Sequence, residues 1–200
     1  GVTRAIELAL SRISANAVET RWSDAAIPIA PWQKAQSDPA WAGEMILRDF
    51  REVITDAPIE KVWESIEQIG GENGWYGADF LWFMRGLLDR AIGGVGLRRG
   101  RRDPKTLRIG ESLDFWRVEN IEKGKVLRLY AEMILPGKAW LEFRVSEVDG
   151  KTKIIQEATF APHGLGGQLY WYSILPLHSF VFPTMLRNIV RSAKRKVIFG

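Results

Sequence analysis

Cysteine is absent from the 200-residue chain, and histidine occurs only twice. The absence of cysteine excludes both a disulfide framework and a thiolate site. Two histidines alone do not make up the usual ligand set of a metal site, so we expect none. The lack of disulfides is typical of cytoplasmic proteins, and the cytoplasm is the location that we predict.

Strong net charge is also missing, since the chain carries only +4. The basic side chains concentrate in two places, within 98–102 and within 187–196. The first lies in a Gly-rich stretch and the second at a predicted helix end, where cations interact favourably with the helix dipole. Neither cluster has the interleaved aromatics or the motif of a nucleic-acid-binding surface. We therefore expect no nucleic-acid partner.

The first 43 residues show no sign of a core of their own. The chain begins Gly-Val-Thr, without an initiator Met or a secretory leader, as expected of a piece of a longer chain. Residues 2–15 have apolar positions at helical spacing, and 22–43 hold three prolines among small residues. The sequence predicts that 1–43 is a helical and irregular tail of a preceding domain, or a linker, and that 44–200 is one domain.

Apolar residues make up 46% of the chain and charged residues 26%, which is typical of a globular domain. The nine Trp and nine Phe are a large aromatic complement. Such side chains either fill a core or line a pocket for an apolar ligand, and composition leaves both readings open.

One strand and two helices are predicted before the middle of the chain. Residues 45–55 mix β-branched and aromatic residues and predict a strand. Asp56 is the expected N-cap of a following helix, with Pro58 near its first turn and Gly70 close to its end. A second apolar helix is predicted over 78–92, where three glycines follow it.

Four strand-like runs follow, over 112–121, 125–135, 138–148 and 152–161. Glu-Lys-Gly, Pro-Gly and Asp-Gly separate them, and these are turn signals. Four strands with such short connections predict an antiparallel meander.

The pattern of the two middle strands favours a three-residue loop over 136–138. One face then carries only apolar side chains, namely Leu129, Ala131, Met133, Leu141, Phe143 and Val145. On the other face this register places Tyr130 opposite Arg144, Glu132 opposite Glu142 and Ile134 opposite Trp140. That face is expected to be a solvated outer surface or, in the sharper alternative, a polar patch inside a cavity where crowded carboxylates raise one pKa.

The segment 163–186 contains no charged residue. Its length would suit a membrane span, but Pro176, Pro183 and His178 argue against one. We expect a long C-terminal helix that is buried on most sides and kinked at Pro176, with membrane contact as the less favoured alternative.

The predicted order of strand, helix, helix, meander and long helix resembles the helix-grip fold of the START and Bet v 1-like (SRPBCC) superfamily. Four stretches more specifically resemble the DUF2867 family, at 96–102, 113–118, 139–143 and 169–172. The resemblance covers about 44–195. It implies an α+β fold in which a curved antiparallel sheet wraps around the C-terminal helix and encloses a cavity.

The resemblance also implies a larger chain, because such domains often follow an NAD(P)-binding domain similar to short-chain dehydrogenases. Residues 1–25 look like the end of such an oxidoreductase domain. NAD(P) would bind upstream, and we expect no cofactor in this fragment. The glycines of 94–100 do not form a dinucleotide motif, since their spacing is one residue too long and they follow a helix rather than a strand.

A cavity of this kind would be lined by aromatic walls with a few polar groups. The candidate wall residues are Trp75, Tyr76, Trp82, Trp116, Trp140, Trp171 and Tyr172. The candidate polar residues are Tyr130, Glu132, Glu142, Arg144, Gln156 and His178.

Three functions stay open at this point, and the first is favoured. In the first, the domain binds an apolar or amphipathic small molecule. In the second, it is a cyclase- or hydratase-like enzyme with Glu132 and Glu142 as its acid–base pair, helped by Tyr130 or His178. In the third, it is a structural or dimerisation domain without a ligand. The oligomeric state is left open. An open cavity favours the first two functions, and a cavity filled by aromatics favours the third.

Overall fold

The computed structural model describes residues 45–71, 74–77 and 101–198, together with Arg4 and Glu7. Arg4 and Glu7 are helical, as predicted, but the rest of 1–43 lies outside the described residues. The predicted helix over 78–92, with Trp82, and the glycines of 94–100 lie outside them as well.

The described residues form six strands and two helices. The strands are β1 (Leu47–Thr55), β2 (Ser112–Leu113), β3 (Trp116–Glu122), β4 (Val126–Ala131), β5 (Gly137–Val148) and β6 (Lys151–Pro162). The helices are α1 (Ile59–Glu67), which lies between β1 and β2, and α2 (Gly164–Ile198), which follows β6.

All six strands belong to one antiparallel sheet with the order β1-β6-β5-β4-β3-β2. The four C-terminal strands β3 to β6 are consecutive neighbours, so the predicted meander is confirmed. Its first predicted strand, 112–121, is however divided into β2 and β3, which pair with each other. The first strand pairs with the last over its full length, from Leu47 opposite Phe160 to Thr55 opposite Thr152. The α+β helix-grip architecture predicted from the sequence is therefore the fold of this domain.

The core lies between the two helices and one face of the sheet, which we call the inner face. The apolar side chains predicted for β4 and β5 point there, and Leu129, Leu141 and Phe143 are almost fully buried. Val62 and Ile66 of α1 belong to the same cluster, as do Met185 and Ile189 of α2. The strand alternation predicted which face is apolar, because a period of two sends successive side chains to opposite faces.

The predicted register between β4 and β5 is wrong, although the faces are right. Residues 132–136 all lie in the connection, and Tyr130 pairs with Trp140 rather than with Arg144. The residue opposite Glu142 is Arg128, not Glu132. Both the predicted three-residue loop and the observed five-residue connection contain an odd number of residues, so each side chain keeps its face while its partner changes.

The predicted N-cap of α1 is also wrong, because Pro58 rather than Asp56 occupies that position. The side chain of Asp56 forms an ion pair with Lys151 at 3.2 Å. Thr55 accepts a hydrogen bond from the amide of Ala57 at 3.2 Å and so shapes the turn into the helix.

The helix α2 runs for 35 residues through Pro176 and Pro183. It was expected to be buried on most sides, but one side is exposed along its N-terminal half, where Leu165, Leu169 and Phe180 are 77%, 72% and 62% exposed. The prediction failed because uncharged residues continue around the whole helix, while packing covers only the side that faces the sheet. No helix among the described residues is long and apolar enough to cross a membrane.

The start of α2 approaches the sheet closely at one glycine. A Cβ atom on Gly167 would lie 2.4 Å from the carbonyl oxygen of Pro136 and 2.7 Å from Cβ of Pro162. A Cβ atom on the adjacent Gly166 would meet nothing within 4 Å. Only glycine at 167 lets the first turn of α2 sit against the end of β6 and the β4–β5 connection.

We expect Gly167→Ala to lower the free energy of unfolding by about 1–3 kcal/mol, because backbone atoms surround the new methyl group and have little room to move. Gly166→Ala is the matched control and should be neutral or stabilising by up to about 1 kcal/mol, since alanine is the better helix former. Urea unfolding of both variants measures the difference. Equal stability of the two would contradict the close approach.

Candidate functional site

A cavity of about 150 Å³ lies between the inner face of the sheet and α2. Its walls come from β3 to β6, from the β4–β5 connection and from the N-terminal half of α2. Most of its lining is apolar, including Trp116, Ala131, Leu141, Ala158, Phe160, Trp171, Val181 and Phe182.

Large and small side chains together leave this space open. Trp171 stacks on Phe160 with ring centroids 5.8 Å apart and planes at 6°, which spaces α2 from the sheet. The strands opposite present small residues, Ala131 on β4, Ala139 on β5 and Ala158 on β6. Since protein interiors are normally close-packed, three alanines facing an aromatic spacer leave a void.

The cavity meets solvent between the β4–β5 connection and the middle of α2. Met133 and Leu135 line it from the connection, and Ile174 and Leu177 line it from the helix. All four are at least partly exposed, and Leu177 is 49% exposed. We call these four residues the mouth of the cavity.

His178 supplies a polar group to the cavity wall. Its ring lies against Trp171 and Phe182, with centroid distances of 5.1 and 4.5 Å. Its Nδ1 atom is buried, has no hydrogen-bond partner in the described part of the chain, and lies 3.6 Å from an oxygen of Asp49.

Burial lowers the pKa of His178 to about 4. The negative charge of Asp49 opposes this shift, and the positive charge of Arg51 adds to it. The imidazole is therefore neutral at neutral pH, and its 3.6 Å approach to Asp49 is not an ion pair under those conditions. Asp49 is instead neutralised by Arg51, whose Nε donates to one carboxylate oxygen at 2.6 Å while a terminal nitrogen donates to the other at 3.2 Å.

A second buried hydrogen-bonding atom, on another residue that lines the cavity, has no partner among the described residues. The indole Nε1–H of Trp116 is buried without an acceptor, and its side chain lines the cavity. A buried polar group normally has a partner, so an orphaned donor beside a void requires an explanation.

Of the predicted site residues, Trp116, Trp140, Trp171 and His178 line the cavity. Trp75 lies elsewhere in the core, where its indole donates to Asp114 at 2.9 Å. Tyr76 contacts the C-terminal half of α2, with its hydroxyl 3.4 Å from that of Ser192.

Two further predicted residues also lie away from the cavity. Tyr172 is 60% exposed on the opposite side of α2, and it does not line the cavity. Gln156 is fully buried on the inner face but donates to the sulfur of Met185 at 3.5 Å.

The predicted polar residues of β5 belong to an ion-pair network on the outer face of the sheet. Arg144 bridges Glu142 and Glu157, each at 2.7 Å. Arg128 also pairs with Glu142, and Arg48 lies 3.3 Å from Glu157. These five side chains, with Trp140 and Thr159, line a polar pocket of about 180 Å³. Three arginines and two glutamates line the pocket, and Arg128 also lies 3.7 Å from Glu119, so the network as a whole balances three arginines with three carboxylates.

The network continues to Glu119, whose carboxylate accepts a hydrogen bond from the indole of Trp140 at 3.1 Å. Burial raises the pKa of Glu119, while Trp140 and Arg128 oppose that shift. Tyr130 packs on Trp140 with centroids 5.4 Å apart, and burial raises its pKa too. Trp140 and Thr159 are cross-strand neighbours that line both pockets.

The expected carboxylate pair of Glu132 and Glu142 is not formed. Glu132 pairs with the buried Arg117 at 2.6 Å, and Arg117 also donates to the carbonyl of Gly110 at 3.0 Å. Glu142 belongs to the outer-face network, and neither glutamate lines the apolar cavity. The proposed acid–base pair was based on the incorrect register.

Asp49 and Arg51 are not among the site residues predicted from the sequence, although a signal for them exists. In β1 they occupy the inward positions between Leu47 and Val53, where the alternation calls for apolar residues. Charged residues at core positions of a strand indicate a buried ion pair or a functional site.

Several solved structures have a distant similarity to this chain. Solved structures similar to it include Zhui aromatase/cyclase from Streptomyces sp. R1128, with 14% identity and a TM-score of 0.46 over 76% of this chain and 96% of that one. Protein NE0264 from Nitrosomonas europaea has 11% identity and a TM-score of 0.45 over 75% and 96%. Ara h 8.0201 has 13% identity and a TM-score of 0.38 over 78% and 100%. Similarities at this level do not bear on ligand or activity.

The search of curated proteins gave no match. A family model described as "Protein of unknown function (DUF2867)" matches residues 41–185. That range includes all six strands, α1 and the cavity-lining half of α2. The chain therefore belongs to the DUF2867 family.

Proposed function

We propose that the domain binds an apolar or amphipathic small molecule in the cavity between the sheet and α2. The observation that carries this proposal is an open, mostly apolar cavity in the core, whose lining includes Trp116 and His178. Each of these two side chains also has a buried nitrogen without a partner among the described residues. A purely structural domain is expected to fill such a space with side chains, because an unfilled void lowers stability.

The volume limits the ligand. A cavity of about 150 Å³ is comparable to an engineered apolar cavity of ~150 Å³ that binds benzene. Pockets for drug-sized ligands are larger, roughly 300–1,000 Å³. The enclosed part therefore fits one ring or a short branched chain, and a longer ligand would extend through the mouth.

The polar groups suggest which end of the ligand enters. The indole of Trp116 can only donate a hydrogen bond, so it would pair with an oxygen of the ligand. Neutral His178 can donate from one nitrogen and accept at the other. In this proposal a hydroxylated or carbonyl-bearing ring pairs with both side chains after they turn these nitrogens toward it, whereas a carboxylate or phosphate would be desolvated without a cation to compensate it.

Binding is better supported than catalysis. Glu132 and Glu142 do not form a pair at the cavity, and a general base works best when its pKa lies near the working pH. His178, with a pKa of about 4, is a weak base at neutral pH. In this proposal the domain is a binding module, and its roles as accessory to an upstream NAD(P)-binding domain and as a cytoplasmic protein stay predictions.

Native mass spectrometry of the purified chain, compared with its mass after denaturation, tests the proposal directly. A reproducible excess mass would reveal a co-purified ligand and its class. If there is no excess, 2-naphthol serves as a fluorescent probe, because one of its two rings fits the enclosed part of the cavity and the other would extend through the mouth. Failure of 2-naphthol to bind as well would contradict the proposal.

Filling the cavity should block binding. Ala158 is 6% exposed on the inner face and lines the cavity. We expect Ala158→Leu to weaken 2-naphthol binding at least about tenfold, a loss of ~1.4 kcal/mol, because the added side chain occupies the ligand volume. Ser146→Leu places the same side chain at an exposed position of β5 and should leave binding unchanged. Unchanged affinity in a folded Ala158→Leu variant would place the probe elsewhere.

The burial of His178 should make stability depend on pH. Between the ordinary pKa of 6.5 and about 4, the unfolded chain binds more protons than the folded one. The free energy of unfolding therefore falls as the pH is lowered through this window, by about 3 kcal/mol at ~1.4 kcal/mol per pKa unit.

We expect His178→Gln to remove this part of the pH dependence in urea unfolding measured between pH 4 and pH 7. Exposed His163 provides the control, and His163→Gln should retain the wild-type slope. The same slope in wild-type protein and His178→Gln would show that His178 is not buried in its neutral form.

A further inference from the structure

The N-terminal half of α2 exposes a row of large apolar side chains, which we call the apolar stripe. Its members are Leu165, Leu169, Tyr172, Leu177 and Phe180, which are between 49% and 77% exposed. They recur at helical spacing on one side of the helix. At ~1.5 Å rise per residue the stripe is about 22 Å long. Contiguous apolar exposure of this kind marks an interaction site, unlike isolated exposed apolar residues.

The same side of α2 becomes basic toward its C-terminus. The basic end consists of the exposed residues Arg187, Arg191, Lys194 and Arg195. Within the described ranges none of the four forms an ion pair, whereas Lys196 lies 3.3 Å from Glu64 of α1. No acidic residue occurs anywhere in α2. The exposed side of this helix is thus apolar for half its length and cationic for the rest.

We propose that this side of α2 docks along the surface of an anionic lipid bilayer. Helices that bind in the plane of a membrane place bulky apolar side chains among the acyl chains and use Lys and Arg to bind anionic headgroups. The apolar stripe and the basic end supply these two parts in sequence along one helix side.

Charge complementarity distinguishes lipid from a second copy of the chain. A two-fold dimer through this surface would bring the same surface from both subunits. That surface carries four cations and no carboxylate, so the basic ends would gain no counter-charge from the partner. An anionic bilayer offers apolar depth and negative charge together.

The docked surface adjoins the mouth of the cavity, because Leu177 belongs to both. Docking would therefore turn the mouth toward the bilayer and give an apolar ligand a route that avoids water. The docking itself does not rest on the proposed function, since the surface is the same whether the cavity is filled or empty.

Vesicle co-sedimentation of the 200-residue chain tests the proposal. We expect binding to vesicles of phosphatidylcholine mixed with phosphatidylglycerol, and weak binding to pure phosphatidylcholine. Added salt should release the protein in part, because exposed charges are screened. The absence of binding to the mixed vesicles at low salt would overturn the proposal.

Double variants test the basic end and the apolar stripe separately, each against a control pair that removes the same kind of side chain elsewhere on the surface. Arg191→Gln with Lys194→Gln should lower the partition coefficient about twenty-five-fold, at about fivefold per charge. Lys123→Gln with Lys105→Gln, at exposed loop positions, should have a much smaller effect. Leu169→Ser with Phe180→Ser should lower partitioning at least tenfold.

The control for the apolar pair is Phe50→Ser with Ile54→Ser, which removes side chains that are 51% and 52% exposed on the outer face of β1. Circular dichroism verifies that each variant is folded. Equal losses in test and control variants would overturn the proposal. The proposal would also be overturned if size-exclusion chromatography showed a dimer that Leu169→Ser with Phe180→Ser dissociates. That result would identify a second copy of the chain as the occupant of the surface.

Discussion

Burial of the inner face of the sheet under α2 is the constraint on which the rest of the structure depends. An antiparallel sheet with one apolar face needs a cover, and β1 supports this arrangement by pairing with β6 along its full length. Since α2 follows β6 directly, its position is set by the turn at His163 and by the close approach at Gly167. The core, the cavity and the exposed side of α2 all follow from that placement.

The cavity is a local departure from close packing. Aromatic spacers on α2 meet alanines on three strands, so the two layers separate without the core being lost. A void of about 150 Å³ costs roughly 3–4 kcal/mol if it stays empty, at ~24 cal/mol per Å³. A ligand that fills the cavity would recover part of that cost and would therefore stabilise the folded domain.

The two faces of the sheet handle charge in different ways. On the outer face, arginines and carboxylates alternate from β1 to β3, so every buried carboxylate of this network has an arginine nearby. On the inner face, Asp49 and Arg51 satisfy each other and leave His178 neutral beside them. The lining of the cavity thus includes hydrogen-bonding side chains but no charged one.

The sequence by itself determined most of the described elements and the faces of the sheet, although the predicted strand 112–121 is two strands, β2 and β3. Alternation and turn residues predict the meander and its apolar face, because these are local properties with a period of two. The uncharged run before Leu186 predicts the long helix. The resemblance of four short stretches to DUF2867 identified the family, which the match to residues 41–185 confirms.

Only the tertiary structure decided which residues meet. Any odd loop length keeps the same faces, so the sequence pattern fixes the faces but not the register. The predicted register placed Glu132 opposite Glu142, whereas in the structure Glu132 pairs with Arg117 and Glu142 pairs with Arg128. His178 in the last helix lies beside Asp49 in the first strand. The two residues are far apart in sequence, so patterns among neighbouring residues do not predict this contact. The exposed side of α2 was hidden for the same reason, because composition gives the polarity of a helix and only packing determines which side is covered.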